Sequence, residues 1–268
     1  MKPILQAYII DFNRSDNLLD AITNFFTVHN DIETLNHTLK VASEAQRVAK
    51  LYDVDPAKAE QAALLHDISN VIPISDMLHV AEELSIEIMD EERKYSRIVH
   101  QKLSRAMAEE VFGVTDSEIL CAIECHTTLK ANSSLFDKII FISDKISWEL
   151  PGNHQYLTDI RSKVDELELI EGILIYLNNI WDQKTKLKLI HPWLIEAREE
   201  LLKKISHLPS GLSKPAQRAL SGSGLWKLEQ ISKLSEAELL QLHGLGSKSI
   251  RQIREALEMK GLSFSNKS

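Results

Sequence analysis

The chain has 268 residues, 44% of them apolar, with 9 Gly, 7 Pro and 2 Cys. That supports a sizeable core and excludes a loop-rich β protein and a disulfide framework. The net charge is −8, yet from Pro209 onward six Lys and three Arg face five Glu, so a tail of about +4 follows a body of about −12, as two modules with different partners would show.

No apolar run approaches the length of a membrane span, and the opening MKPILQAYIIDF has no small-residue cleavage site after it. The expected setting is the cytoplasm, with no membrane partner. Apolar residues recur mostly at spacings of three and four, which predicts an all-α chain. Residues 1–30 read as an N-terminal extension of two short helices with RSDN as the turn between them. Asn30 or Asp31 caps a helix over about 31–52, whose face is His37, Val41, Ala45 and Val48. YDVDP breaks it, and Asp55 with Pro56 starts a helix over about 56–68. The segment 75–112 reads as two helices, with MDEERKYS as a loop before His100. Thr115 to Glu118 has capping-box spacing and opens a helix that carries His126 near its end. LFDKIIFISDKISWEL is a helix containing Asp144, stopped by Pro151 and Gly152. Helices over about 158–182 and 192–206 complete a first domain, 1–207; HLPSGLSKP is the linker, and 208–268 form a small helical domain.

The stretch AALLHDISN runs four apolar residues into His66 and Asp67, two ionisable groups that are costly to bury unless they are paired or bound to a metal. Separate predicted helices contribute His37, the His66–Asp67 pair, His126 and Asp144, and His100 sits between apolar neighbours in RIVHQKLSR. Each histidine taken singly is ordinarily a satisfied core or surface residue, a reading kept for His29, His79, His154, His191, His207 and His243. Six imidazole and carboxylate groups together suit two divalent metals with a bridging carboxylate. Imidazole favours iron, zinc or nickel and carboxylate favours manganese or magnesium, so the set does not name the ion. Cys121 and Cys125 share one helical face and read as small buried hydrophobes.

The order H…HD…H…H…D resembles the HD phosphohydrolase superfamily. The segments NHTLKVASEAQRVAKLYDVDPAKAEQAALLHDIS, HQKLSRAMAEEVFGV, AIECHTTLKA and KIIFISDKI are similar to the YqeK-type HD proteins, over roughly Leu35 to Ile205. The resemblance implies an HD-domain helical fold and symmetrical hydrolysis of diadenosine tetraphosphate to two ADP. It implies that His37, His66, Asp67 and Asp144 bind one metal and that His100 and His126 bind a second, with Asp67 bridging. Two divalent ions are expected, iron first, with manganese or zinc as alternatives. A bound metal lowers the pKa of water to ~7 and so provides hydroxide at neutral pH. Lys102, Arg105, Lys130 and Lys145 are the candidate cations for charge on the phosphoryl group.

The chain departs from the family at Asn70, where H-D-x-x-K has lysine. It departs again after the last Asp, where Lys145, Ser147 and Trp148 stand in place of Tyr and Glu-Pro. The alternatives are therefore an HD phosphatase acting on a nucleoside monophosphate or another phosphoester, an iron-dependent oxygenase, and a nucleic-acid-binding or transcription-associated protein with a metal-stabilised scaffold.

In the tail, Gly244-Leu245-Gly246 precedes a helix with free N–H donors, the mechanism by which a helix-hairpin-helix turn holds a nucleic-acid phosphate. About Gly211 to Phe264 resembles the C-terminal domain of the bacterial RNA polymerase α subunit. By that resemblance Gly244, Gly246, Ser247, Lys248 and Arg251 are the candidate DNA contacts. The expected partners are a nucleotide substrate, DNA or an RNA polymerase-associated protein, and a second copy in a homodimer.

Overall fold

A computed structural model describes residues 1–9, 15, 17–148, 154–205, 208–209 and 211–265, with the side chains of Ile205, Arg218 and Ser221 outside it. Among the described residues the chain is all helical, with no strand. It divides into two compact units, Met1–Arg198 and Glu199–Ser268. Arg14 and Asp16 of RSDN, the stop at Pro151 and Gly152, and His207 and Ser210 of HLPSGLSKP lie outside the described residues.

The first unit opens with a 3-10 helix (Pro3–Tyr8) and α1 (Leu18–Val28). Asp31 caps α2 (Ile32–Leu51) by accepting the Thr34 N–H at 3.1 Å, whereas Asn30 takes a left-handed backbone at φ 56°. Asp55 caps α3 (Pro56–Leu65) through the Ala57 and Lys58 N–H groups. Pro56 occupies a first-turn position where no N–H is needed. α3 is shorter than expected: His66 is its C-cap, and Asp67 precedes a 3-10 helix (Ile68–Val71).

The segment 75–112 holds α4 (Met77–Glu83), α5 (Asp90–Lys94), a 3-10 helix (Ser96–Val99) and α6 (His100–Glu110). The expected loop MDEERKYS thus contains a helix. Asp90, Glu91 and Glu92 lie in its first turn and Arg93 and Lys94 in its last, which matches the helix dipole at both ends. Asp116, not Thr115, caps α7 (Ser117–Cys125). α8 (Leu135–Ser147) starts at a reciprocal Ser134–Asp137 capping box. The helix expected over 158–182 is two, α9 (Gln155–Asp165) and α10 (Leu169–Asp182), because Leu167 between them has φ +64°, incompatible with a continuing right-handed helix. α11 (Pro192–Ile205) follows.

α2 packs on α3 and α8, and α7 lies against α3, α6 and α8. Ala59, Ala62 and Ala63 of α3 are fully buried, and their small side chains let neighbouring helices approach closely. Val41, Ala45 and Val48 of α2 are buried as the periodicity predicts, and Phe25, Phe26, Phe136, Phe141, Leu103 and Met107 fill the core. Each is worth roughly 1.5–3 kcal/mol of transfer free energy. Cys125 is buried and Cys121 half-buried, both as free thiols.

The second unit contains α12 (Lys214–Gly222), α13 (Leu228–Ile231), α14 (Glu236–Leu240) and α15 (Ser247–Met259). Its core includes Leu212, Ala216, Leu220, Ile231, Leu239, Ile253 and Leu257. Gly244 has φ +107°, and a Cβ there would lie 2.8 Å from the Pro215 carbonyl oxygen. Only glycine satisfies both the turn and that approach.

Candidate metal centre

The first unit brings His37 from α2, His66 and Asp67 from the end of α3, His100 from the start of α6, His126 from the end of α7 and Asp144 from α8 to one place. Three overlapping sets have their ligand atoms within 4.8 Å of one another: His37, His66 and Asp67; His66, His126 and Asp144; and Asp67, His100 and His126. Asp67 Oδ2 lies 3.4 Å from His66 Nε2. Its Oδ1 lies 3.3 Å from His100 Nε2 and 3.4 Å from His126 Nε2. The two oxygens of one carboxylate thus face different imidazoles. Asp144 Oδ1 lies 2.9 Å from His37 Nε2 and accepts the Trp148 indole N–H at 3.2 Å, while Oδ2 accepts from Lys145 Nζ at 2.6 Å.

Three of the histidines are oriented by the turn they sit on. The Nδ1–H groups of His66, His100 and His126 donate to the carbonyls of Ala63, Arg97 and Ile123, three residues earlier, at 2.6, 2.8 and 2.7 Å. With Nδ1 protonated, the neutral ring presents an Nε2 lone pair inward, the arrangement that metal-binding histidines use. The lone pairs of His100 and His126 then face each other across 3.2 Å, and His66 Nε2 is buried with no hydrogen-bond partner. Converging lone pairs and a buried orphan acceptor are costly alone and are what a cation satisfies. The residues present therefore fit divalent metal.

Burial pushes the Asp67 carboxyl up, and the imidazoles of His66, His100 and His126, wherever they carry a proton toward it, pull it well below the ordinary range. Burial likewise opposes ionisation of Asp144, and the Lys145 ammonium and His37 overcome it. Both are carboxylates at neutral pH. Burial lowers the His126 imidazole to about 4, against the pull of Asp67, so this ring is neutral and ligand-competent.

The cluster opens into a cavity of about 480 Å³ lined also by Asp31, Glu33, Thr34, Asn70, Arg97, Thr127, Lys145 and Trp148. Of the four cations expected here, only Lys145 lines it. Lys102 Nζ turns instead to Glu92 Oε2 and the Glu87 carbonyl, each at 2.8 Å, and sits over the Trp193 ring. Arg105 and Lys130 face Glu124 at 3.8 and 2.8 Å. Lys102 and Arg105 border a separate cavity of about 300 Å³. Closeness in sequence to His100 and His126 did not place these side chains on the facing side.

Arg97 and Thr127 were not expected at the site. Arg97 precedes His100 by three residues, one helical turn, and that spacing is the signal that finds it. The Thr127 hydroxyl lies 3.0 and 2.9 Å from Nε2 of His100 and His126. Trp148, one turn after Asp144, packs on His37 with ring centroids 4.4 Å apart.

In the second unit, Ser247, Lys248 and Arg251 line an exposed pocket with Glu236 and Arg254 at the start of α15, and Gly244 and Gly246 precede that helix. Arg251 lies 3.9 Å from Glu255.

A family model described as HD domain matches residues 34–149. The chain is 40% identical over 153 residues to an uncharacterized protein in the pepC 5′ region of Lactococcus lactis subsp. cremoris, covering 57% of this chain and 77% of that one. It is 31% identical to a symmetrical bis(5′-nucleosyl)-tetraphosphatase of Halalkalibacterium halodurans, over 48% of this chain and 70% of that one. A crystal structure of a predicted HD superfamily hydrolase involved in NAD metabolism, from Clostridium acetobutylicum, superposes with a TM-score of 0.64 at 32% identity, covering 69% of this chain and 97% of that one. With the helical scaffold and the His/Asp cluster in place, these relationships put the chain in the HD-domain hydrolase family.

Proposed function

We propose that this chain is a metal-dependent phosphohydrolase that cleaves diadenosine tetraphosphate symmetrically into two ADP. The observation that carries the reading is Asp67, whose two oxygens face His66 on one side and His100 and His126 on the other, as a carboxylate bridging two ions requires. The name of the Halalkalibacterium relative supports the substrate. His37, His66, Asp67 and Asp144 would hold one ion, and His100, His126 and Asp67 the other. Iron is the first choice, with manganese or zinc as alternatives. When bound, such ions supply an activated water and neutralise charge on the phosphoryl oxygens.

The protein side chains set the frame for that chemistry. The Nδ1 bonds to backbone carbonyls fix three imidazoles before substrate arrives, so no reorganisation is needed during reaction. Lys145 and the Trp148 indole hold Asp144 from its two sides, and Trp148 also sets the plane of His37. Cleavage of the central phosphoanhydride gives one ADP carrying the water oxygen and one ADP as leaving group.

Metal-loaded protein incubated with diadenosine tetraphosphate is expected to give ADP as sole product on nucleotide chromatography. ATP plus AMP, or no turnover by protein holding two ions, would overturn the substrate and lead to a phosphoester panel beginning with nucleoside monophosphates.

For the C-terminal unit we propose contact with duplex DNA through Ser247, Lys248 and Arg251 beside the Gly244–Gly246 turn. Their exposure at the start of α15 supports this. Binding is expected to weaken steeply with salt and to vanish on deleting residues 209–268 while hydrolysis is retained. Salt-independent binding by fluorescence anisotropy would refute it.

A further inference from the structure

Two cationic side chains, Arg97 and Lys145, line the cavity above the metal centre. They differ in what their charge already does. Lys145 is buried, with Nζ 2.6 Å from Asp144 Oδ2, so its ammonium is committed to the carboxylate. Arg97 is half-buried on the 3-10 helix Ser96–Val99, and among the described residues its guanidinium makes no ion pair. Its backbone is tied to the centre, because the Arg97 carbonyl accepts the His100 Nδ1–H at 2.8 Å. Asn70, which also lines the cavity, is uncharged.

The rim is also polarised. Glu33 and Thr34 precede His37 on α2 by about one turn, and Asp31 caps that helix, so carboxylates crowd the His37 end of the opening. The backbone that carries the guanidinium is bonded to His100, at the other end. A polyphosphate carries several negative charges, so it is repelled by the first end and attracted by the second. The planar guanidinium fork also matches two phosphoryl oxygens at once, which an ammonium does not.

We propose that Arg97 holds the substrate's phosphate chain and lays it over the His100–His126 end of the metal centre. The assignment rests on the phosphohydrolase reading above, but it concerns binding of phosphate oxygens and can be measured without turnover. The test compares metal-loaded wild type, Arg97→Ala and Arg97→Lys. It reads metal content, affinity for ADP and inorganic pyrophosphate by calorimetry, and kcat/KM on diadenosine tetraphosphate.

Arg97→Ala is expected to keep its metal and melting temperature and to lose at least about tenfold in affinity for both probes. It should lose about 100-fold in kcat/KM. Arg97→Lys should recover only part of either, and added guanidinium should partly rescue Arg97→Ala. Unchanged probe affinity in Arg97→Ala, or loss of metal from both variants, would overturn the proposal. If wild type leaves diadenosine tetraphosphate intact while Arg97→Ala still loses probe binding, the substrate is wrong and the role of Arg97 stands.

Discussion

Asp67→Ala is expected to abolish metal binding and hydrolysis together, with turnover of diadenosine tetraphosphate falling at least about a thousandfold, or about 4 kcal/mol in the barrier. The effect is large because Asp67 is shared. It belongs to the set with His37 and His66 and also to the set with His100 and His126, so its loss weakens both rather than one. Metal analysis and kinetics on the same preparation check this, and Asp67→Asn serves as the variant of matched shape. A second readout is independent of substrate. Ions that bind only the folded chain raise its stability, by about 4 kcal/mol at a thousand times Kd, so wild type should melt much lower in chelator. The Asp67 variants should melt at nearly the same temperature with chelator or without it. A folded Asp67→Ala that retained both ions and full turnover would remove the bridging role.

The six clustered His and Asp positions were legible in the sequence because each sits at or near a helix terminus or on an apolar helix face. There a polar residue conflicts with its neighbours, and the conflict itself marks the site. His66 after Ala62–Leu65 is the clearest example. The supporting cations were not legible in the same way. Lys102, two residues after His100, points roughly to another side of α6, as a rotation of about 100° per residue dictates. Arg97 and Trp148, one turn from His100 and Asp144, lie over the cavity. Helical spacing thus separates Arg97 and Trp148 from Lys102, whereas Lys145 and Thr127 reach the cavity as chain neighbours of Asp144 and His126. The break at Leu167 was missed for a different reason: apolar periodicity continues through Leu167 and Leu169, and a left-handed backbone at a leucine has no sequence mark. The pairing of Glu92 with His191 links residues 99 positions apart, and no local pattern announces it.

That pairing carries the second large effect, on stability. Glu92 is fully buried, with Oε1 3.1 Å from His191 Nε2 and Oε2 accepting from Lys102 Nζ and the Met89 N–H, each at 2.8 Å. The Trp193 N–H donates to His191 Nδ1, which leaves Nε2–H to point at Glu92. Glu92→Ala would strand the buried Lys102 ammonium and is expected to cost about 3–5 kcal/mol in urea unfolding, a large part of the roughly 5–15 kcal/mol typical of a folded protein. Glu92→Gln, which keeps the shape and removes the charge, should cost less. The pH dependence has a definite sign. Burial pushes the Glu92 carboxyl up, but His191, Lys102 and the Met89 N–H hold it below its ordinary value of 4.5. Its contribution is therefore present above pH 4.5 and is lost as pH falls through the lower folded-state value. Asp67 and Asp144 of the His/Asp cluster add to the acid sensitivity of both proteins. The informative quantity is thus the difference between wild type and Glu92→Gln, which should be constant above about pH 5 and shrink below it. A difference that stayed constant down to pH 3 would mean that the Glu92 charge contributes nothing, and that its packing alone holds α5 and α6 to the chain before α11.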